Sequence, residues 1–268
     1  MLKPEPMPQI LYKYRVWSDQ YHQKIITEQQ VFLASPAKLN DPFDASLPFR
    51  YDETELSPEN IFLKLVEVGR INNPAMRETE LHEMAYKRQA SGVFDNGDYW
   101  KDVHAETKEN VHKTFGILSL TTKMDNLLMW AHYGICHRGF CVGIDSKLLF
   151  DAVGGTLGRV LYNDEFPLMP LFNADITATI KFLNTKSPHW QYEDEYRLTK
   201  IHAANKAYNI PKEAIKEVII GCNMPADQQA AICDAAEKHT PDAKIFTAHP
   251  SLTRFELEIF PYTKVASS

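Results

Sequence analysis

The chain has 268 residues, a formal net charge of -6, 44% hydrophobic and 24% charged residues, and four cysteines. These values describe an ordinary globular protein with one large domain or one domain carrying an insertion, and they leave nucleic acid only a local basic patch to grip. No stretch approaches the ~18 apolar residues of a membrane span, no signal-peptide core precedes residue 20, and the cysteines suggest no disulfide framework, so a cytoplasmic protein without a membrane partner is expected.

Residues 10–17 read as a first strand, with Tyr12, Tyr14 and Val16 on one face and Leu11, Lys13, Arg15 and Trp17 on the other. Residues 19–29 suit a short helix capped by Ser18 or Asp19, and residues 30–34 a second strand. The loop over 35–44 is rich in residues that hydrogen-bond their own backbone. Within it, Asn40-Asp41-Pro42-Phe43-Asp44 is either a plain turn or, through Asp41 and Asp44, a cation site.

From 52 to 113 the character becomes helical. Ser57 caps and Pro58 opens a helix, whose buried face is carried by Ile61, Phe62, Leu63, Leu65 and Val66. Two charged, helix-prone stretches follow at 77–89 and 99–113, separated by the turn Asp95-Asn96-Gly97. We read the region as a helical insertion within a single domain.

Residues 115–121 return to strand. Residues 126–133 form a short helix closed by Gly134, with Asp125 as cap. Further strands are expected at 139–145, 158–162, 217–221, 244–247 and 255–261, and helices at 176–184 and 226–238. Strands and helices mix without a βαβ rhythm, which favours an α+β fold.

Residues 190–198, Trp-Gln-Tyr-Glu-Asp-Glu-Tyr-Arg-Leu, hold the densest chemistry. As a strand they place Glu193, Glu195 and Arg197 on one face, with Tyr192, Asp194 and Tyr196 on the other. Carboxylates held close to each other and to a cation can act as acid, base or cation stabiliser. The plain alternative is an edge strand with a solvated charged face. Trp130-Ala131-His132-Tyr133 is either core packing with a helix cap or an aromatic and imidazole rim beside a pocket. His132, Cys136, His137 and Cys141 fall within ten residues, but Gly134 interrupts the helix between them, and no metal site is assigned. No glycine-rich phosphate loop and no G-x-S-x-G elbow is present.

Arg15 on the first strand, Ser119-Leu120-Thr121 in mid-chain and Glu193-Asp194-Glu195 late in the chain resemble the Arg, Ser-x-Thr and Glu-x-Glu arrangement of arginine-type ADP-ribosyltransferases. That resemblance implies a mixed or antiparallel split sheet around a central cleft, with NAD as substrate. Glu195 would be the essential carboxylate, stabilising the oxocarbenium-like ribose, and Glu193 the acceptor-side one. Arg15 would clamp the cofactor, with Ser119 and Thr121 in support, and Tyr12, Tyr14 or Trp130 would stack on nicotinamide.

A second resemblance covers more of the chain. Residues 11–15, 40–44, 118–121, 129–134, 139–145 and 192–197 are similar to the signature blocks of a bacterial family, domain of unknown function 2971. It carries no established activity. It implies a bacterial or phage-related intracellular protein and marks these blocks as its site, adding Asn40, Asp41, Asp44, His132, Tyr133 and Arg197 to the candidates. The expected function is NAD-dependent ADP-ribosyl transfer or NAD hydrolysis, with the acceptor open among macromolecules, small molecules and water. Two alternatives stand beside it: a non-catalytic ligand-binding or regulatory protein, and a metal-dependent nuclease using Asp41, Asp44, Glu193 and Glu195.

Overall fold

The computed structural model describes residues 6–46, 50–92, 97–170, 172 and 176–263; two residues of the expected turn Asp95-Asn96-Gly97 lie outside them. In chain order the elements are β1 (Ile10–Arg15), α1 (Gln20–Thr27), β2 (Gln30–Leu33), β3 (Arg50–Tyr51), α2 (Pro58–Asn72), α3 (Glu78–Ala90), α4 (Gly97–Thr114), β4 (Phe115–Thr121), α5 (Leu127–Tyr133) and β5 (Phe140–Asp145). Then come α6 (Ser146–Val153), β6 (Thr156–Arg159), β7 (Leu161–Tyr162), β8 (Leu168–Met169), α7 (Ile176–Leu183), β9 (Thr185–Lys186), β10 (Glu195–Ile201), β11 (Lys206–Asn209), β12 (Ile215–Ile220), α8 (Ala226–His239), β13 (Lys244–Pro250) and β14 (Leu257–Pro261).

An α+β architecture results, built on one eight-stranded mixed sheet of order β14-β13-β12-β5-β1-β4-β10-β6. Only β12 and β13 run parallel in it. The pairing of β1 differs sharply on its two sides. Against β5 it is continuous from Ile10 opposite Asp145 to Arg15 opposite Phe140. Against β4 it consists of the single register pair Tyr12–Thr121. The β4 edge turned toward β1 is met instead by Ala34, which exchanges both backbone hydrogen bonds with Ile117. A cleft opens where the two strands part.

Alternation of side chains along the strands divides the core. Leu11, Phe140, Val142, Ile144, Leu118, Leu120 and Leu198 face the layer formed by α1, α6 and α8, which supplies Ile25, Ile26, Leu149, Ile232 and Cys233. Tyr12, Tyr14 and Cys141 face the other way, against Met129 and Trp130 of α5. On that same side, further along, Phe115 and Ile117 pack with Val111 of α4 and with Phe182 and Leu183 of α7. Full burial of each such side chain stabilises the fold by roughly 1.5–3 kcal/mol, and this is what holds the strand register.

Helix ends follow the capping chemistry of the sequence. Asp19 caps α1 and Ser57 caps α2, each accepting a backbone N–H. α2 and α3 pack on each other at Gly69, where an added Cβ would lie 2.8 Å from Met84 Cε. At α5 the cap is Asn126, not Asp125: its Oδ1 accepts from Leu128 and Met129 N. The helix α6 was not expected; Asp145 caps it through Leu148 N. Residues 158–162 are not one strand. β6 belongs to the main sheet and β7 pairs with β9, because the chain breaks at Val160, whose N–H donates to Glu195 O at 2.9 Å.

Residues 190–198 also depart from the expected single strand. Pro188–Glu193 is a 3-10 turn and Asp194 takes a left-handed conformation, φ 43° and ψ 52°, so β10 begins only at Glu195. Asp194 tolerates that backbone because its carboxylate is fixed on both sides, by Arg159 at 2.7 Å and by Thr122. No helix among the described residues is long and apolar enough to cross a membrane.

Candidate functional site

The cleft between β1 and β4 has a volume of about 470 Å³, within the range of small-molecule sites. Its walls are β1 (Lys13 to Arg15, with Val16), β4 (Ile117 to Leu120), the loop carrying Lys38 and Asn40, and the rim of α5 with His132 and Tyr133. Its floor carries Asp44, Lys186, Glu193 and Glu195.

Five charged side chains at and beneath that floor form one buried network. Lys186 is carried by β9, which pairs in parallel with β7. Its Nζ lies 2.6 Å from Glu193 Oε2, 3.1 Å from Glu195 Oε2 and 3.6 Å from Asp44 Oδ2. Arg197, fully buried, donates through Nε to Glu195 Oε1 at 2.7 Å, through Nη2 to Asp44 Oδ2 at 2.7 Å and through Nη1 to Leu183 O at 2.6 Å. Three carboxylates therefore share two cations, and each cation bridges at least two acids. Buried charges are tolerated only when paired and hydrogen-bonded in this way.

Electrostatics follow from that geometry. Burial pushes the Glu195 carboxyl up, but Arg197 and Lys186 outweigh it and hold it at about 2, with Ser119 contributing a hydrogen bond. For Asp44 burial wins over Arg197 and Lys186, and the carboxyl is raised. Lys186 moves up, because Glu195, Asp44 and Glu193 outweigh the cost of its burial. Asp44 Oδ1 is buried without a hydrogen-bond partner among the described residues, which suits a carboxyl that protonates readily.

Glu193 is held from the other side by Tyr133, whose hydroxyl donates to Oε1 at 2.7 Å and accepts from Asn40 Nδ2 at 3.3 Å. Burial and the Glu193 charge raise the Tyr133 phenol, so it remains a donor. The Glu193 backbone is pinned too, with Thr121 Oγ1 donating to its carbonyl at 2.5 Å.

The upper wall is cationic. Lys13 Nζ donates to Ser119 O at 2.6 Å across the gap between the strands. Arg15 makes one long bond, to Tyr14 O at 3.4 Å. Neither has a carboxylate within ion-pair distance among the described residues. Burial and the nearby Arg15 lower the Lys13 ammonium to about 7, against the opposing pull of Glu195 and Glu193. His22 reaches the same wall from α1, its Nδ1 accepting Val16 N–H at 3.3 Å.

The structure thus brings Arg15, Tyr14, Ser119, His132, Tyr133, Asn40, Asp44, Glu193 and Glu195 to one cleft. Arg197 lies beneath it. Thr121 is a buried strut. Asp41 stands apart from the cleft, lining a smaller cavity of about 200 Å³, and its Oδ1 accepts Phe43 N–H in a local turn. Stacking on nicotinamide by Trp130 is corrected: the ring is fully buried, edge-on to Tyr14, with Nε1 donating to Met124 O. Tyr12 and Tyr14 are likewise committed to the core, their hydroxyls donating to Glu217 and to Lys123 O. His132 and Tyr133 are the aromatic groups left at the rim.

Sequence reasoning missed Lys186, Lys13 and His22. Nothing in Asn184-Thr185-Lys186-Ser187 distinguishes a buried lysine from a solvated one. Lys13 did carry a signal, since it alternates with Arg15 on a strand whose other positions are apolar or aromatic.

The chain matches no curated protein and no solved structure. Residues 129–198, which carry Tyr133, Lys186, Glu193, Glu195 and Arg197, match the model of a family described as protein of unknown function, DUF2971.

Proposed function

We propose that the cleft binds NAD and cleaves its bond between ribose and nicotinamide, passing ADP-ribose to an acceptor or to water. The observation that carries this reading is the polarity of the cleft: Lys13 and Arg15 on the β1 wall, with no carboxylate within ion-pair distance among the described residues, and the salt-bridged carboxylates of Glu193 and Glu195 on the floor beneath a rim of His132 and Tyr133. Such a cleft suits a ligand with an anionic middle and a reacting end that becomes cationic. In the reaction the glycosidic bond breaks with its electron pair leaving on nicotinamide. Glu195, held ionised at about 2, stabilises the positive charge that develops on the ribose. The acceptor atom or water bonds to the ribose carbon, and its proton passes to Glu193. Arg15 holds the pyrophosphate. The split between β1 and β4 supports an ADP-ribosyltransferase-like arrangement of the sheet.

The test is release of nicotinamide, read by chromatography, from NAD incubated with the wild type, Glu195→Gln and Glu193→Gln. Release by the wild type, lost in Glu195→Gln while that variant still folds cooperatively at the assay temperature, with a melting temperature lowered by the loss of its ion pairs, is the expected result. No release by the wild type and no thermal shift from NAD would sink the reading.

One observation favours a second reading, a non-catalytic ligand-binding protein. Both oxygens of Glu195 are engaged, Oε1 by Arg197 Nε and Oε2 by Arg197 Nη2 and Lys186 Nζ, each of the latter at 3.1 Å. A carboxylate bound that completely serves to fix strands. Binding of ADP-ribose and NAD with equal affinity and no turnover would select this reading.

A further inference from the structure

We infer that Lys13, Arg15 and His22 together form a subsite for the phosphoryl group of a small molecule. This deepens the reading of the cleft and rests on its being a ligand site, not on the ligand being NAD.

The argument starts from charge balance. Every buried acid of the floor is matched by Lys186 or Arg197, at distances of 2.6 to 3.6 Å. Lys13 and Arg15 have no such partner among the described residues: their hydrogen bonds go to the backbone carbonyls of Ser119 and Tyr14. Both are partly buried and adjacent on one face of β1. Two desolvated basic groups side by side resist carrying charge together, and an anion between them removes that cost.

The chemistry of the donors narrows the anion. A guanidinium, an ammonium and a ring N–H offer donors that a phosphoryl group can accept together. His22 supplies the third: its Nδ1 accepts Val16 N–H, so the neutral ring carries its hydrogen on Nε2. Burial and Arg15 lower the His22 imidazole, which keeps it neutral. A carboxylate, with a single charge, would leave one of the two cations unbalanced; a phosphoryl dianion balances both.

Protonation follows from the surroundings of Lys13. The charged and titratable groups facing it are Arg15 on its own strand, Asp44, Lys186, Glu193 and Glu195 from the floor, and His22 and Lys38 from the wall. Burial and Arg15 lead in lowering its ammonium to about 7. A dianion beside it reverses that balance, so at pH 8 the amine binds a proton together with the ligand.

The experiment is calorimetric titration of the full-length protein with ADP and with inorganic pyrophosphate at pH 8, in two buffers of different ionisation enthalpy. The wild type should bind both probes with uptake approaching one proton. Lys13→Met should abolish the uptake and weaken binding about tenfold or more, the worth of one charged hydrogen bond. Arg15→Gln should weaken binding to a similar degree. Should Lys13→Met fail to fold, wild-type proton uptake and the Arg15→Gln affinity decide the matter. Failure of either probe to bind the wild type, or undiminished binding by Lys13→Met and Arg15→Gln, would overturn the inference; binding without proton uptake would overturn the change of charge on Lys13 alone. Probe binding as expected without nicotinamide release would remove NAD cleavage and leave the subsite standing.

Discussion

Lys186 and Glu193 form the shortest ion pair of the buried network, Nζ to Oε2 at 2.6 Å, with both side chains buried at the floor of the cleft. The pair joins a two-residue strand to the last residue of a 3-10 turn, so neither partner sits in the main sheet. Its geometry depends on everything that holds those short segments in place.

Removing the cation therefore exposes the imbalance beneath. Lys186→Met leaves Arg197 alone against Asp44, Glu193 and Glu195 in a buried network. We expect a loss of about 3–5 kcal/mol, the usual cost of breaking a buried pair from one side. Chemical denaturation monitored by tryptophan fluorescence measures it. A loss below about 1 kcal/mol, as for a solvated surface pair, would contradict the buried-network description.

Acid should unfold the wild type along a limb that Glu195→Gln lacks. The Glu195 carboxyl stands at about 2 in the folded protein against 4.5 in the unfolded chain. The unfolded state therefore binds the proton first. Stability from this group is complete above about 4.5 and disappears as pH falls toward 2, a contribution on the order of 3 kcal/mol. Asp44 is shifted the other way and works with opposite sign; Glu195 is one of the charges that raise it, so its opposing contribution shrinks in Glu195→Gln. Denaturation midpoints from pH 6 to 2.5 that fall in parallel would show that Glu195 is not held ionised.

Thr121 is expected to act on the site without entering it. Its hydroxyl donates to Glu193 O at 2.5 Å and receives Lys123 N–H at 3.0 Å. Thr121→Val leaves both groups without that partner and should cost about 1–3 kcal/mol. Thr121→Ser restores the hydroxyl and should recover most of the loss. Equal losses in the two variants would assign the effect to packing of the methyl group.

The sheet was largely readable in the sequence because its strands obey simple rules. β4 matches the expected residues 115–121 throughout, since Phe115 to Thr121 is an apolar run buried on both faces. The caps at Asp19 and Ser57 were equally plain. The site was readable only in part. Glu195 and Arg197 share a face as the alternation of a strand requires. Glu193 joins them by a different route, a left-handed turn at Asp194 that period-two reasoning does not contain. Its stability rests on Arg159 and Thr122, residues 35 and 72 positions away. Lys186 was invisible for a similar reason. Its burial is decided by three carboxylates brought together from elsewhere in the chain, and no local pattern announces that.

The single register pair between β1 and β4 also has a mechanical meaning. Elsewhere in the sheet, neighbouring strands are zipped by long ladders: six register pairs join β1 to β5 and seven join β4 to β10. At the seam the load falls on the pair Tyr12–Thr121, the Lys13 amine bonded to Ser119, and the Ala34 bridge to Ile117. A force drawing the two halves of the sheet apart would meet fewer backbone bonds at this seam, which coincides with the cleft, than at either of those ladders. A ligand bridging the walls would act there as a rivet.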